Sequence, residues 1–493
     1  MDKNENKNIG RFSSYLDATA RIGNFFQKND PSNFTSKNFN YSTCIRSECM
    51  GAVFGDYAPG DWNAYTYRLA QRRKRYKGNK AKSHEHFNRV AEILNNQEVV
   101  LISHRFFMYN EVIEGKQYNR ILDPILEEYR KLDYRVCKLH YMDKIAKNPY
   151  HTGYQFEFRQ LVEIFSNEKN DGLVEPISQE VEEQISKINL PVNKAAVAWQ
   201  VEIIEWLSKE LKSILKNSSI KLIIASENLH VFNQALFLAT RFTGITSVEM
   251  AHGSQSKQDI GYSTWAKQEI SNLISPDFFW TWDDFVQKRF TAHRYDHAQV
   301  INGGIPYAIK WSEKEYDKLF ISQLRDLNLL ASGFSKTILL CTQPVNNCFP
   351  LFLGEYIKKS KDILFIHRPH PMEENSDFYK KQKQLYLSPL SDLQNFITFN
   401  NGDYPIHLLL GISSYMITPF STVASESIPH NCNAIFSHVD SLLYFKEFID
   451  ENIFFTAFTY DRLKEIIDCN LKNKKLSIQT RKSLQSNLKS LIQ

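Results

Sequence analysis

The feature that most constrains this chain is a series of short apolar runs, each followed by a stretch of helical spacing. Val99-Val100-Leu101-Ile102, Tyr134 to Leu139, Ile220 to Ala225, Thr246 to Met250, Phe278 to Trp282 and Gln299 to Asn302 form one series. Thr337 to Cys341, Ile363 to Ile366, Phe396 to Phe399, Tyr415 to Thr418 and Ala434 to Phe436 form a second. Runs this short, with little polar alternation, predict strands buried on both faces, as in parallel sheets. Between them, Tyr118 to Leu132 has helical spacing, with Ile121, Leu122, Ile125, Leu126 and Tyr129 on one face. Ala195 to Leu215, Val231 to Phe242, Leu351 to Lys359, Ile406 to Leu410 and a stretch starting at Thr422 read as further helices. Such alternation predicts an α/β fold with helices on both sheet faces.

Two doubly wound halves facing a cleft are therefore expected, over residues 97–309 and 310–460. Residues 310–334 read as a helical linker or cover, and 461–493 as a Lys-rich amphipathic helical tail. Residues 1–96 read as a partly ordered, basic N-terminal extension, with a short helix from Ser83 to Asn95. The stretch from His104 to Gln117 reads as a long loop.

With 493 residues, of which 42% are apolar, the chain can bury sizeable cores. The net charge of +5 is too mild to imply nucleic-acid binding, and none is expected. The excess is local: Arg68, Arg72, Arg73, Lys74, Arg75, Lys77, Lys80 and Lys82 follow one another without an acid. Tyr65, Tyr67 and Tyr76 are interleaved with them. This run suits anionic lipid head groups, an acidic polymer or RNA or, with equal weight, a solvated, partly disordered linker. The seven cysteines are scattered, with no CxxC pair and no zinc spacing, which fits a reducing cytoplasm. The first thirty residues carry no apolar core of a secretory signal. No apolar run approaches the ~18 residues of a membrane span.

Three strand ends carry chemistry. Ile366-His367-Arg368-Pro369-His370-Pro371 puts a permanent cation and an imidazole where a strand stops. Pro369 and Pro371 restrict the backbone around His370, so its ring is aimed rather than loose. Thr418-Pro419-Phe420-Ser421-Thr422 offers hydroxyls at the start of a helix, where anions bind, and Glu426 lies one turn on, within reach of a ribose hydroxyl. Met250-Ala251-His252-Gly253-Ser254 ends a strand of the first half, and Gly253 allows close approach of a ligand. Ligands of open α/β sheets bind beyond the carboxyl ends of strands, so these groups suggest a phosphate-containing ligand in the cleft. For a base that takes an acceptor proton, Glu111, Glu114, Glu227 and His252 compete on equal terms. Asp283-Asp284 opens a helix and reads as a cap rather than a metal site, and no metal or cofactor is expected. There is no GxxxxGK[ST] loop and no GxGxxG after a strand, which excludes P-loop and dinucleotide-binding readings.

These segments resemble the GT-B glycosyltransferase-like enzymes of bacterial surface polysaccharides over roughly residues 98–460. His252-Gly253 resembles the His-Gly of CDP-glycerol glycerophosphotransferases. Arg368-Pro369-His370-Pro371 resembles the His-Pro motif of that group and of bacterial sialyl- and polysialyltransferases. Asp403 to Leu409 with Ile417-Thr418-Pro419-Phe420-Ser421-Thr422 resembles their acidic-Leu-Leu and Ser-Ser segment, with Pro419-Phe420 in place of Asp-Tyr and Thr422 in place of the second Ser. Gly304-Ile305-Pro306 resembles the turn before their second domain. The resemblance implies that His370, Ser421 and Thr422 hold the phosphate of a CMP- or CDP-activated donor. It implies a metal-independent transfer to a glycan or lipid-linked glycan acceptor, by a cytoplasmic enzyme that is peripheral at the inner membrane. A UDP-sugar epimerase of the same fold and a non-catalytic scaffold of a polysaccharide assembly complex are the alternatives.

Overall fold

The computed structural model describes residues 34, 36, 38–46, 48, 80–103, 111–141, 148–156, 158–172, 179–186, 193–227, 229–251, 253, 274–293, 297–343, 345, 348–370, 380–381, 383–400 and 402–492. The strands of the first half are β1 (Val99–Ser103), β2 (Glu111–Ile113), β3 (Lys116–Tyr118), β4 (Val136–His140), β5 (Tyr154–Gln155), β6 (Leu222–Ala225), β7 (Thr246–Met250), β8 (Phe278–Thr281) and β9 (Gln299–Asn302). Those of the second are β10 (Lys336–Cys341), β11 (Ile363–Arg368), β12 (Phe396–Thr398), β13 (Tyr415–Thr418), β14 (Asn433–Phe436) and β15 (Phe455–Thr456).

The first sheet runs β5-β4-β1-β6-β7-β8-β9 and the second β12-β11-β10-β13-β14-β15, with every pair parallel. Leaving aside β2 and β3, which form a separate antiparallel hairpin, both sheets reverse their order beside the first strand of the half. That is the doubly wound Rossmann plan, and the reversal opens a crevice at the carboxyl ends. The chain therefore has the two Rossmann-like domains of a GT-B fold.

Alternation along each strand explains the layers, because successive side chains point to opposite faces. Val100, Ile102, Ile223 and Ala225 pack beneath helices Lys194–Lys216 and Val231–Thr243. Val99, Leu101, Leu222 and Ile224 pack against Leu122, Ile125 and Leu126 of the opposite layer. In the second sheet Leu339 and Cys341 face one core, and Ile338 and Leu340 the other. Each such aliphatic side chain, fully buried, contributes about 1.5–3 kcal/mol.

Three expectations change. Residues 104–110 lie outside the described residues, but 111–118 form the β2–β3 hairpin rather than a loop, turning through Glu114 (φ 49°) and Gly115 (φ 72°). The helix that follows is Asp123–Lys131, shorter than expected at its start, because Asn119 takes the N–H groups of Ile121 (3.1 Å) and Leu122 (3.0 Å) in a turn of its own. The described part of the N-terminal region is built into the first core. Phe34, Phe39, Tyr41, Cys44 and Ile45 are buried there, and Ser36 and Asn38 hold Glu205. The basic run expected at a membrane lies outside the described residues up to position 79. Lys80 and Lys82 belong to helix Lys80–Asn95.

The C-terminal tail is two helices serving different lobes. Tyr460–Asp468 packs Leu463, Ile466 and Ile467 on the second sheet. Arg481–Ser490 crosses back and buries Leu484 and Leu488 against the first, where the Tyr129 hydroxyl donates to the Leu488 carbonyl at 3.0 Å. Arg481 also meets Glu128 at 3.3 Å and Glu315 at 3.4 Å. Among the described residues no helix is long and apolar enough to cross a membrane.

Gly303-Gly304 makes the crossover between the lobes. A Cβ at Gly303 would lie 1.7 Å from the Trp280 ring, and Gly304 has φ +76° while its carbonyl accepts from Trp280 Nε1 at 2.8 Å. Only glycine fits so close an approach and so left-handed a turn.

Candidate active site

The carboxyl ends of the two sheets face each other, and four polar groups meet there. Arg368, the last residue of β11, is placed by the parallel register that pairs it with Cys341. From the other lobe, the β2–β3 hairpin brings up Glu111, its first residue. Arg368 Nη2 lies 3.6 Å from Glu111 Oε1, and both side chains are buried. Among the described residues neither carboxylate oxygen of Glu111 has a hydrogen-bond partner. A buried carboxylate without donors is costly and is held in place by the rest of the fold, a situation that marks sites of function.

Arg120 and Glu426 make the second bridge. Asn119 and Asp123 fix the turn that presents Arg120, through Asn119 N–H to Asp123 Oδ2 at 2.8 Å, and buried Lys138 pairs with Asp123. The guanidinium donates from Nη1 to both Glu426 oxygens, at 2.8 and 3.0 Å. His407 Nε2 approaches Glu426 Oε2 at 3.3 Å, and His407 Nδ1 lies 2.8 Å from His430 Nε2. Burial works against the Glu426 charge, but Arg120, His407 and Arg368 outweigh it and hold the carboxyl below its ordinary range. His407 is itself sandwiched, stacked on Trp311 at 6.0 Å and edge-on to Tyr307 at 4.9 Å.

His370, two residues past Arg368, is half-buried. Burial, helped by the charges of Arg120 and Arg368, pushes its pKa down to about 4. At neutral pH it is a neutral imidazole, able to donate one hydrogen bond. An arriving phosphate opposes both charges and favours the imidazolium.

Ser421 and Thr422 stand at the exit of β13. Ser421 Oγ accepts from Val423 N–H at 3.3 Å, and Phe420 N–H donates to Gln343 Oε1 at 2.9 Å. The helix they open is short, Val423–Ser427, followed by a 3-10 turn, Ile428–His430, so its dipole is smaller than a full helix would supply. Across the cleft, a Cβ at Gly253 would lie 3.7 Å from Thr422 Cγ2.

The expected groups thus divide. Arg368, His370, Glu111, Glu426, Thr422 and Gly253 lie at the meeting of the lobes. Glu114 sits exposed on the hairpin turn, and Glu227 follows β6, its carbonyl accepting from the Asn233 amide. His252, Ser254 and Pro371 lie outside the described residues. Asp283 accepts from Val286 N–H at 2.7 Å and caps helix Asp284–His293. Arg120 and His407 escape the sequence reading. The turn signal Asn119 to Asp123-Pro124, just ahead of a helix, is the local sign that Arg120 is held rigidly.

No protein-family model matches this sequence, and no curated protein does. Similar solved structures include the UDP-GlcNAc 2-epimerase of Methanocaldococcus jannaschii, at 12% identity over 80% of this chain and 98% of that one, with a TM-score of 0.46. The UDP-GlcNAc 2-epimerase of Neisseria meningitidis, bound to UDP-GlcNAc, is 11% identical over 80% of this chain and 98% of that one, with a TM-score of 0.49. The wall teichoic acid polymerase TagF is 12% identical over 88% and 92%, with a TM-score of 0.45. Similarity this distant carries nothing about residues or substrate. The two strand orders stand without it.

Proposed function

We propose that this chain is a metal-independent transferase that moves a group from a nucleotide-activated donor to an acceptor glycan. The donor half is the second lobe and the acceptor half the first. A cytidine nucleotide, CMP- or CDP-linked, and a bacterial surface-glycan or lipid-linked acceptor are assigned on motif resemblance. The basic stretch from Arg68 to Lys82 would keep the enzyme at an anionic membrane face in the cytoplasm.

The observation that carries this reading is Glu111, a buried carboxylate without a hydrogen bond among the described residues, 3.6 Å from Arg368 at the lobe boundary. In the reaction, Glu111 accepts the proton of the acceptor hydroxyl as that oxygen attacks the donor carbon. The bond from that carbon to the donor's phosphate oxygen breaks, and Arg368 with His370 stabilises the charge left on the phosphate. Ser421 and Thr422 add hydroxyl contacts, and the proton on Glu111 returns to solvent when product leaves.

A thermal-shift panel of CMP, CDP, UDP, GDP and their sugar conjugates tests the donor assignment, because a ligand that binds the native state raises its melting temperature. A selective rise with a cytidine nucleotide supports it, and none with any nucleotide overturns it. Conversion of a sugar nucleotide with no acceptor added would make the enzyme an epimerase instead.

A further inference from the structure

Glu426 is held from two sides that differ in kind. Behind it stands His407, which belongs to its own lobe and so moves with it; its Nε2 lies 3.3 Å from Glu426 Oε2, a close approach rather than a hydrogen bond. In front stands Arg120, from the other lobe. The Arg120 side chain is 15% exposed, against 3% for Glu426 and 0% for His407, so a ligand entering the cleft meets Arg120 first. The contact is also incomplete. One nitrogen, Nη1, serves both carboxylate oxygens, while among the described residues the buried Nε has no hydrogen-bond partner. A fork-to-fork pair with two nitrogen donors would be stronger.

Two neighbouring hydroxyls offer a carboxylate two O–H donors, one for each oxygen, and a nucleotide ribose carries such a pair. We propose that Arg120 is a specificity residue that occupies the ribose-reading face of Glu426 until the vicinal diol of a nucleotide displaces it. The inference rests on the nucleotide-donor reading above. The His407 ring, packed between Trp311 and Tyr307, backs the carboxylate during the exchange, so Glu426 need not turn to meet the sugar. The same exchange breaks the Arg120–Glu426 bond between the lobes.

Calorimetric titration of the full chain with CMP, CDP, UDP and GDP, and with their 2′,3′-dideoxy counterparts, tests this. Wild type should prefer the ribonucleotide about tenfold, a size given by two hydrogen bonds exchanged for one shared contact. Arg120→Gln should raise the preference for the ribonucleotide over its dideoxy counterpart several-fold above wild type, whatever the loss of its charge does to both. Glu426→Gln should erase the preference. Should Arg120→Gln not fold, Arg120→Lys carries the same expectation at smaller size, since a lysine makes a point contact rather than a planar one. A ribonucleotide-over-dideoxy preference that falls or does not change in the folded Arg120 variant overturns the inference alone. Failure of every nucleotide to bind wild type overturns the donor reading and this inference with it.

Discussion

A Cβ at Gly253, past the end of β7, would stand 3.7 Å from the methyl group of Thr422 on the opposite lobe. That is ordinary van der Waals contact, so the lobes approach here closely enough for one methyl group and little more. Gly253→Ala should fold normally, with stability within about 0.5 kcal/mol of wild type. Gly253→Leu should prop the lobes apart and lower kcat/KM at least tenfold, with the melting temperature nearly unchanged. Full activity in the leucine variant would show that closure at this point has no part in turnover.

Glu111→Gln removes the proton acceptor and keeps its shape. Turnover should fall about 10²–10⁴-fold, the usual contribution of a general base. Glu114→Gln, on the exposed hairpin turn, should stay within about twofold. Steady-state rates for the two variants, with melting curves to show intact folds, decide the assignment. Equal effects would return both acids to the same standing.

Gly303→Ala should be among the most damaging single changes in the chain. Its methyl group would fall inside the Trp280 ring, 1.7 Å from the nearest carbon. The backbone must move, and the Trp280 bond to the Gly304 carbonyl is lost with it. A loss of roughly 3 kcal/mol or more is expected, at the upper end of overpacking effects. Denaturant unfolding measures it.

Stability should fall with pH in two stages. Burial pushes His370 down to about 4, and His140, His367 and His430 to about 3. Between their ordinary 6.5 and these values, the unfolded chain binds protons that the native chain refuses. Each histidine therefore removes stability as pH drops through that window, by about 1.4 kcal/mol per pH unit. Asp283, raised by burial to about 6, and Asp123, also raised by burial, act in the opposite sense from 3.8 upward, two groups against four. Below 4.5 a second loss begins, as Glu426 and Glu127, held low by their cationic partners, are protonated in the unfolded chain first. Urea unfolding at pH 7.5, 6 and 5 should show a steady decline. Constant stability over that range would contradict the burial of these rings.

The legible parts of this fold are those where one local signal suffices. β1, β10, β11 and β13 are short apolar runs that no helix period explains, and the placement of Arg368 and His370 at the end of β11 follows from them. The β2–β3 hairpin is not legible. Its residues, Glu111 to Tyr118, alternate weakly, and Ile113 and Tyr118 are apolar for a reason found only in three dimensions: they pack in the core of the second lobe. Arg120 follows from the hairpin and is hidden with it. His407 sits inside an apolar helix, Ile406–Ile412, where sequence alone cannot separate a filler from a partner of Glu426. The tail shows a helical period but not that its apolar face belongs to the lobe made first.

Leu488 gives that last point a measurable form. Leu488→Ala should cost about 2–5 kcal/mol, as other buried leucines do, although the residue lies far along the chain from the sheet it covers. Denaturant melts followed by Trp280 fluorescence, in the first lobe, should report the loss.

The return of helix Arg481–Ser490 to the first sheet also sets an order of assembly. Lobes made first ordinarily fold first as a chain leaves the ribosome. Here the earlier lobe emerges with one flank bare, and Leu484 and Leu488 cover it only after the later lobe has been translated. The half that is synthesised first is thus the half that finishes last, and cutting the gene at the crossover would leave it permanently unsealed.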